Sequence, residues 1–402
     1  MTPELQALRQ DTRGTSTVAH LNNAGASLPP NVVADAVVQH IRAEETLGPY
    51  EAAANAGDTT TALYRGAAAL LGCDPSEIAF CDSGSRAWNV LVYSLRLQPT
   101  DRILVSPLEF GSALIAIQHV AERSRATVQT IPADSEGRVR IEELERMLSP
   151  KPPALIALTH AAAHSGAVNP VNEVGQLART CGAFYLVDAC QSLGQLPVSI
   201  DDLRCDALTA TGRKRLRGPR GTAFVYIRRG LSQKLDATTS DLVTADFLSH
   251  PEGPHGSRLK FRLDAKKFEL WERSVAGAIG LGAALDYLIA IQSSGFDYHN
   301  RVLDLAQYAA DGLRAIKGVD VWAPHKAESG VIGFAVSGPP PTAVKAECSR
   351  RRINISTMSE YDAPLDFRRR HRDSVCRVAP HYYNDTGEID AFLEIIREIA
   401  HA

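Results

Sequence analysis

Leu208-Thr-Ala-Thr-Gly-Arg-Lys214-Arg-Leu-Arg-Gly-Pro-Arg-Gly-Thr-Ala-Phe-Val-Tyr-Ile227 places one lysine between two apolar runs of β type, in a turn dense with Gly, Thr and Arg. A matching piece stands upstream, Phe184-Tyr-Leu-Val-Asp188-Ala-Cys-Gln191-Ser, where an apolar strand ends on a carboxylate. A lone carboxylate in that position is costly to bury and needs a cationic or hydrogen-bonding partner. Arg213, Arg215, Arg217 and Arg220 surround Lys214. Positive neighbours disfavour the ammonium form, so they lower a lysine pKa and ready the amine as a nucleophile. The rival reading is a basic surface loop. Gly212, Gly218, Pro219 and Gly221 argue against it, because they suit tight packing near a ligand better than a solvated patch.

Outward from these two pieces, strand-like and helix-like patterns alternate. Short apolar runs at 78–81, 103–106, 128–131, 154–159, 184–187, 207–211 and 222–227 read as strands, and 86–97, 141–148 and 171–181 read as helices. Nearly continuous apolar strands separated by amphipathic helices predict an α/β fold: a mainly parallel seven-stranded sheet with helices on both faces. Residues 1–25 form an N-terminal segment, 26–265 a large domain, and 266–402 a smaller C-terminal α+β domain. The pattern is weak over 230–265, where Ser249-His-Pro-Glu-Gly-Pro-His-Gly-Ser257 reads as a loop.

Composition narrows the class. The 402 residues are 45% hydrophobic and 22% charged, with a net charge of −3, which argues against a polycationic nucleic-acid binder. Seven cysteines without a CxxC pair argue against a disulfide scaffold and for a reducing cytoplasm. No signal-peptide pattern opens the chain, and no apolar run approaches the roughly 20 residues that span a bilayer, so no membrane partner is expected. His160 and His164 lie in an Ala/Gly/Pro loop without a nearby acidic ligand, so no metal site is expected. Arg368-Arg-Arg-His-Arg372 reads as a solvated basic face, with attraction of an anionic substrate as the alternative.

In open parallel sheets, ligands sit at the carboxyl ends of the strands. Four groups fall there: Ser83-Gly84-Ser85, Glu109-Phe110, Asp188 with Gln191, and Thr211 to Lys214. The first precedes a helix, and its hydroxyls with the helix's freed N–H groups form an anion cup; the plainer reading is a helix N-cap. An anion cup, a strand-end carboxylate and a lysine together suit pyridoxal 5'-phosphate: the carboxylate keeps the pyridine nitrogen protonated and the lysine forms the Schiff base.

The combination Asp-x-x-Gln-Ser-x-Gly, then Thr-Gly-Arg-Lys-x-x-x-Gly-Pro-Arg-Gly, resembles the aminotransferase class V branch of fold-type I pyridoxal-phosphate enzymes. That branch includes cysteine desulfurases, selenocysteine lyases, isopenicillin N epimerase and the C–S lyase of ergothioneine biosynthesis. The resemblance implies that Lys214 is the Schiff-base lysine and proton shuttle, that Asp188 pairs with the ring nitrogen and that Gln191 reaches the ring hydroxyl. It places Gly84, Ser85, Thr211 and Arg213 about the phosphate, with Arg86 beside them, and Phe110 on the ring face. Arg377, in Cys376-Arg-Val-Ala-Pro-His-Tyr-Tyr-Asn384, matches the arginine that binds the substrate α-carboxylate, and Asn23 and Tyr50 are expected near the substrate. Phe268 to Ser274 matches a segment that reaches the neighbouring subunit's phosphate, which implies a homodimer with active sites at the interface.

The departures from that pattern steer the reaction. Desulfurases carry a nucleophilic cysteine on a mobile loop upstream of the carboxylate arginine; here that region is Met358-Ser-Glu-Tyr-Asp-Ala-Pro-Leu365, without cysteine. A position that is often polar is Ala163, so either His164 substitutes or the contact is lost. Phe110 replaces a histidine over the ring, which leaves Lys214 as the main proton carrier. The leading expectation is a C–S lyase that performs β-elimination on an S-conjugated cysteine in a biosynthetic pathway. The alternatives are an epimerase of the isopenicillin N type and a decarboxylation-coupled deaminase of a cysteine S-conjugate in lincosamide-like antibiotic biosynthesis; transamination ranks lower. A non-catalytic regulator that keeps the fold is disfavoured by the intact Lys214 and Asp188.

Overall fold

The computed structural model describes residues 2–248 and 259–401. The loop expected at Ser249 to Ser257 lies outside the described residues. Seven strands build the main sheet: β1 (Ile78–Cys81), β2 (Arg102–Val105), β3 (Thr127–Thr130), β4 (Leu155–Thr159), β5 (Phe184–Asp188), β6 (Ala207–Thr211) and β7 (Ala223–Ile227). Their order is β1-β7-β6-β5-β4-β2-β3, and only β7 runs against the rest. Successive side chains on a strand point to opposite faces. Leu104 and Ile156 therefore enter one apolar cluster, while Ile103, Val105, Leu155 and Ala157 enter the other. Both faces of the sheet are covered, which is why these strands read as unbroken apolar runs.

A second sheet is antiparallel. It contains β8 (Val319–Trp322), β9 (Ile332–Val336), β10 (Ser356–Ser359) and β11 (Ser374–Val378), in the order β8-β9-β11-β10. Helices Tyr298–Arg314, Pro341–Arg350 and Thr386–His401 pack on it through Leu305, Val344 and Phe392. The N-terminal segment joins this unit: Ala19–His20 pairs in parallel with Ile353–Asn354, and Leu21 is buried in the same cluster.

One expectation about the division of the chain is corrected. Helix Val275–Ser293 was assigned to the small domain, yet its Ala278, Leu281, Leu285 and Leu288 sit in the main sheet's core beside Leu63 and Ala67. Its Gly66 and Gly282 contacts explain the close packing: a Cβ on Gly66 would stand 2.7 Å from Leu285 Cβ, and one on Gly282 would stand 3.0 Å from Ala62 Cβ. The same helix is long and apolar enough to cross a membrane, contrary to the sequence reading; its burial in the core accounts for that composition.

The loop after β6 is pinned from three sides. Arg215 donates to the carbonyls of Pro380 (2.7 Å) and Gly330 (2.7 Å). Arg217 donates to the carbonyl of Leu28 (2.9 Å), the hydroxyl of Tyr382 (2.8 Å) and the hydroxyl of Thr12 (2.6 Å). Its guanidinium also lies 4.3 Å from the Tyr383 ring centroid. Both arginines are about as buried as core leucines, at 1% exposure each. The basic run around Lys214 is thus a clamp that joins the main sheet, the small sheet and the N-terminal segment. Arg217→Ala strands several buried hydrogen-bonding groups and should lower stability by about 3 kcal/mol or more, read as a fall in the denaturation midpoint. The exposed Arg220→Ala should change it by less than about 0.5 kcal/mol.

Candidate active site

At the carboxyl edge of the main sheet, Thr159 of β4 pairs in register with Asp188 of β5, which pairs with Thr209 of β6. A cavity of about 210 Å³ opens there, lined by Gly84, Ser85, Phe110, Asp188, Gln191, Thr211, Arg213 and Lys214. Eight of the expected site residues are therefore brought together. Asp188 Oδ1 accepts the Cys190 N–H (2.8 Å) and the Thr209 hydroxyl (3.4 Å), which fixes the carboxylate. Its Oδ2 takes no hydrogen bond from the described residues and faces the cavity side. Gln191 donates its Nε2 to the Ala24 carbonyl (2.9 Å), and its Oε1 is buried without a partner.

Lys214 is half-buried, and its Nζ lies 5.8 Å from the Phe110 ring centroid. Burial pulls its pKa down to about 8; Asp188 opposes this, while Arg213 and Arg377 add to it. Burial is the leading cause, and Arg215 and Arg217, expected from sequence to contribute, point away into the clamp.

Two helix N-termini meet beside the lysine. Helices Gly84–Val92 and Gly111–Ser124 are joined by Trp88 Nε1 donating to the Ala113 carbonyl (3.2 Å), and Ser85 Oγ stands 3.5 Å from Ser112 Oγ. Ser83 is the N-cap, its Oγ accepting from the Arg86 N–H (3.1 Å), so the plain reading holds for Ser83 while Ser85 faces the cavity. Arg213 Nη1 donates to Thr211 Oγ1 (3.0 Å) on the opposite wall. A Cβ on Gly84 would stand 3.2 Å from Cys190 Sγ, so a side chain there would fill the cradle. N–H dipoles, hydroxyls and a guanidinium around one end suit a phosphate.

Arg377 is buried on β11 behind Ala163. Its Nε donates to Ser356 Oγ (2.9 Å), its Nη1 to the Ala163 carbonyl (2.9 Å) and its Nη2 to Asn22 Oδ1 (3.4 Å). A guanidinium has five N–H donors, so two remain for a ligand. Burial lowers its pKa to about 10, with Arg213 adding and Asp362 opposing, and it stays charged at neutral pH.

Several expected residues lie elsewhere. Asn23 is fully buried and spent on structure: Nδ2 donates to the carbonyls of His20 and Ala379, and Oδ1 accepts from Tyr383 (2.5 Å). Its neighbour Asn22 is the one that meets Arg377. Arg86 turns away and donates to Thr239 Oγ1 (3.0 Å). Tyr50 is 69% exposed, against Trp271 in a separate cavity. Glu109 points under the sheet edge, where Thr159 N–H (2.8 Å) and Thr159 Oγ1 (2.9 Å) donate to it, and burial raises its pKa to about 8. His164 does not replace the polar group missing at Ala163; it faces Asp366 (2.8 Å). Arg369 and Arg370 also turn inward to Asp366, so that part of the basic run is no solvated face. Sequence reading passed over Ser112, Cys190, Asn22 and Ser356; only Ser112, at a second helix start after a strand, carried a usable signal.

A seven-stranded α/β sheet with a lysine, a carboxylate and an anion cup at its carboxyl edge defines a pyridoxal-phosphate-dependent enzyme. The chain belongs to the aminotransferase class-V family, whose profile matches residues 19–392. It is 28% identical to a probable cysteine desulfurase of Halalkalibacterium halodurans, covering 96% of this chain and 93% of that one. It is 25% identical to a probable cysteine desulfurase of Pyrococcus abyssi, covering 98% and 96%. Among solved structures it resembles the cysteine desulfurase of Thermococcus onnurineus (TM-score 0.90, 25% identity, 100% of this chain and 98% of that one). The cystine C–S lyase C-DES shares the fold (TM-score 0.84, 22% identity, 96% and 99%). The cofactor of the family is pyridoxal 5'-phosphate. The residues here fit it: the buried Gln191 Oε1, the open Asp188 Oδ2 and the bare Gly84 leave room and unmet polar atoms around a flat ring with an anionic tail.

A lysine amine must be neutral to bond the cofactor aldehyde, and Lys214 is the lysine that lines the cavity. Its lowered pKa predicts that the rate of cofactor uptake by the apoprotein rises with pH, is half-maximal near pH 8 and levels off about one unit above it. A rate still rising at pH 10 would mean an ordinary, solvated lysine. Lys214→Ala should take up cofactor without the visible absorbance of the lysine-bound form.

Proposed function

We propose that this enzyme is a C–S lyase that releases a thiol from an S-conjugated cysteine by β-elimination. The observation that carries the reading is the segment where desulfurases carry their cysteine: Ser359 to Asp362 lies against Gly111, the residue after Phe110 of the cavity, whose N–H donates to the Asp362 carbonyl (2.8 Å), and it bears no thiol. The cysteine that lines the cavity, Cys190, has its pKa pushed well up by burial, which suppresses the thiolate needed for persulfide chemistry. The desulfurase route of the named relatives therefore lacks its nucleophile here.

When bound, pyridoxal phosphate supplies an electron sink for charge left at the substrate α-carbon. Asp188 would hold a proton at the ring nitrogen, and Gln191 would meet the ring hydroxyl. Gly84, Ser85, Thr211 and Arg213 would hold the phosphate, and Phe110 would cover the ring face. Arg377 takes the α-carboxylate on its two free N–H groups, a charge-assisted bidentate pair. Lys214, neutral above about pH 8, removes the α-proton. The β-carbon–sulfur bond then breaks, the thiol leaves with a proton, and water completes the conversion of the remainder to pyruvate and ammonia.

The same proton transfer serves epimerisation, so the products decide. A homodimer with sites at the interface is part of the proposal. Val38, Ile41 and Leu47 on one helix leave apolar surface exposed, and Tyr50 lies tilted against Trp271 of the 268–274 segment, ring centroids 5.9 Å apart. Seven unpaired cysteines are in keeping with a reducing compartment.

Incubation with S-alkyl and S-aryl cysteines should give pyruvate, ammonia and thiol in equal amounts. Alanine with persulfide would point to desulfuration, and recovered substrate with solvent deuterium at the α-carbon to epimerisation. Arg377→Ala should raise KM by about tenfold or more with a smaller change in kcat, since a ground-state carboxylate contact is lost.

A further inference from the structure

His164 and Asp366 are both fully buried, and no step above uses either. His164 sits on the loop after β4, in the main domain; Asp366 sits on the helix Pro364–Arg369, in the small one. His164 Nε2 and Asp366 Oδ2 are 2.8 Å apart. Asp366 is held in turn by Arg369, whose Nε and Nη2 reach Oδ1 (2.8 and 2.6 Å), and by Arg370, whose Nε reaches Oδ2 (2.9 Å). Phe367 packs on the imidazole with ring centroids 5.4 Å apart. A carboxylate with this many donors is fixed in place, and so is the ring that pairs with it.

The peptide next to His164 touches the site. The Ala163 carbonyl accepts Nη1 of Arg377, and the His164 carbonyl lies against Gly333 on β9, where an added Cβ would stand 2.3 Å from it. Gly333 is the register partner of Arg377 on β11. The loop is thus wedged between β9 and the arginine, with the His164 side chain as its anchor at the far end.

We propose that His164 and Asp366 are a positioning pair: they hold the Ala163 carbonyl against Arg377 and so aim its two free N–H groups at the substrate carboxylate. Rotation of that loop would release Nη1, and the guanidinium would lose its aim although its charge remained. This rests on the reading of Arg377 as the carboxylate residue. It also gives the Ala163 loop a reason for its histidine: the side chain is an anchor between two domains, and the backbone does the recognition.

The test compares the KM for an S-alkylcysteine with the inhibition constant of the matching S-alkylcysteamine on the holoenzyme, two ligands that differ only in the carboxylate. His164→Ala should weaken the S-alkylcysteine by about tenfold, the usual loss for one misaligned charge-assisted pair, and leave the S-alkylcysteamine and the cofactor absorbance unchanged. His164→Gln, which can still donate to Asp366, should recover most of the loss. In an Arg377→Ala background the His164→Ala substitution should add nothing. Asp366→Asn is the parallel variant if His164→Ala does not fold. Equal weakening of both ligands, or a full loss that persists without Arg377, would overturn the positioning pair while leaving Arg377 in its role. If Arg377→Ala alone keeps the preference for the carboxylate ligand, the Arg377 reading itself falls and the pair with it.

Discussion

Arg217 carries a guanidinium into a nest of tyrosines, and the place of Lys214 depends on it. Burying an unpaired charge costs several kcal/mol, so such a side chain persists only when its donors are met. Here Leu28, Tyr382 and Thr12 meet them, and the Tyr383 ring adds its face. The residue bends the chain with φ 59, a left-handed backbone that a side chain tolerates at a cost of about 1 kcal/mol. Gly218 N–H then closes the turn on the Gly212 carbonyl (2.7 Å). Between these fixed points the lysine has little freedom, and burial lowers the pKa of its amine to about 8.

The central sheet was legible because its strands are buried on both faces. β6 begins and ends where its apolar run does, and Asp188 stands out as the charge that ends β5. The strands of the small sheet were harder. β10 reads Ser-Thr-Met-Ser, half exposed, and carries no apolar signature. Within the site, the residues expected at strand ends line one cavity, because the fold rule sets strand ends at one edge. The resemblance pointed to Asn23, whereas the backbone pairing of Asn22 with Ala379 leaves Asn22 as the one that meets Arg377. The arginines around Lys214 misled for a related reason: sequence gives their charge but not their direction.

The segment Ser359 to Asp362 is held close against the start of helix Gly111–Ser124. Gly111 permits the close approach, since a Cβ there would stand 1.9 Å from the Tyr361 carbonyl oxygen. Asp362 braces the segment from within by accepting the Ser359 N–H (2.8 Å) and hydroxyl (3.2 Å). The backbone of Glu360 is tied to Asp373 (2.9 Å). A segment bonded in this way is held in place, and its sequence contains no cysteine. In the proposed reading, Lys214 serves α-proton removal and no cysteine stands where a desulfurase carries its sulfur acceptor.

All of this rests on Lys214 being the residue that bonds the cofactor. Borohydride reduction of the holoenzyme, followed by proteolysis and peptide mass spectrometry, tests it most directly. The account predicts a single peptide with the reduced cofactor mass, with Lys214 as the modified residue. Label on any other lysine, or none on a protein that binds cofactor and turns over substrate, would contradict it.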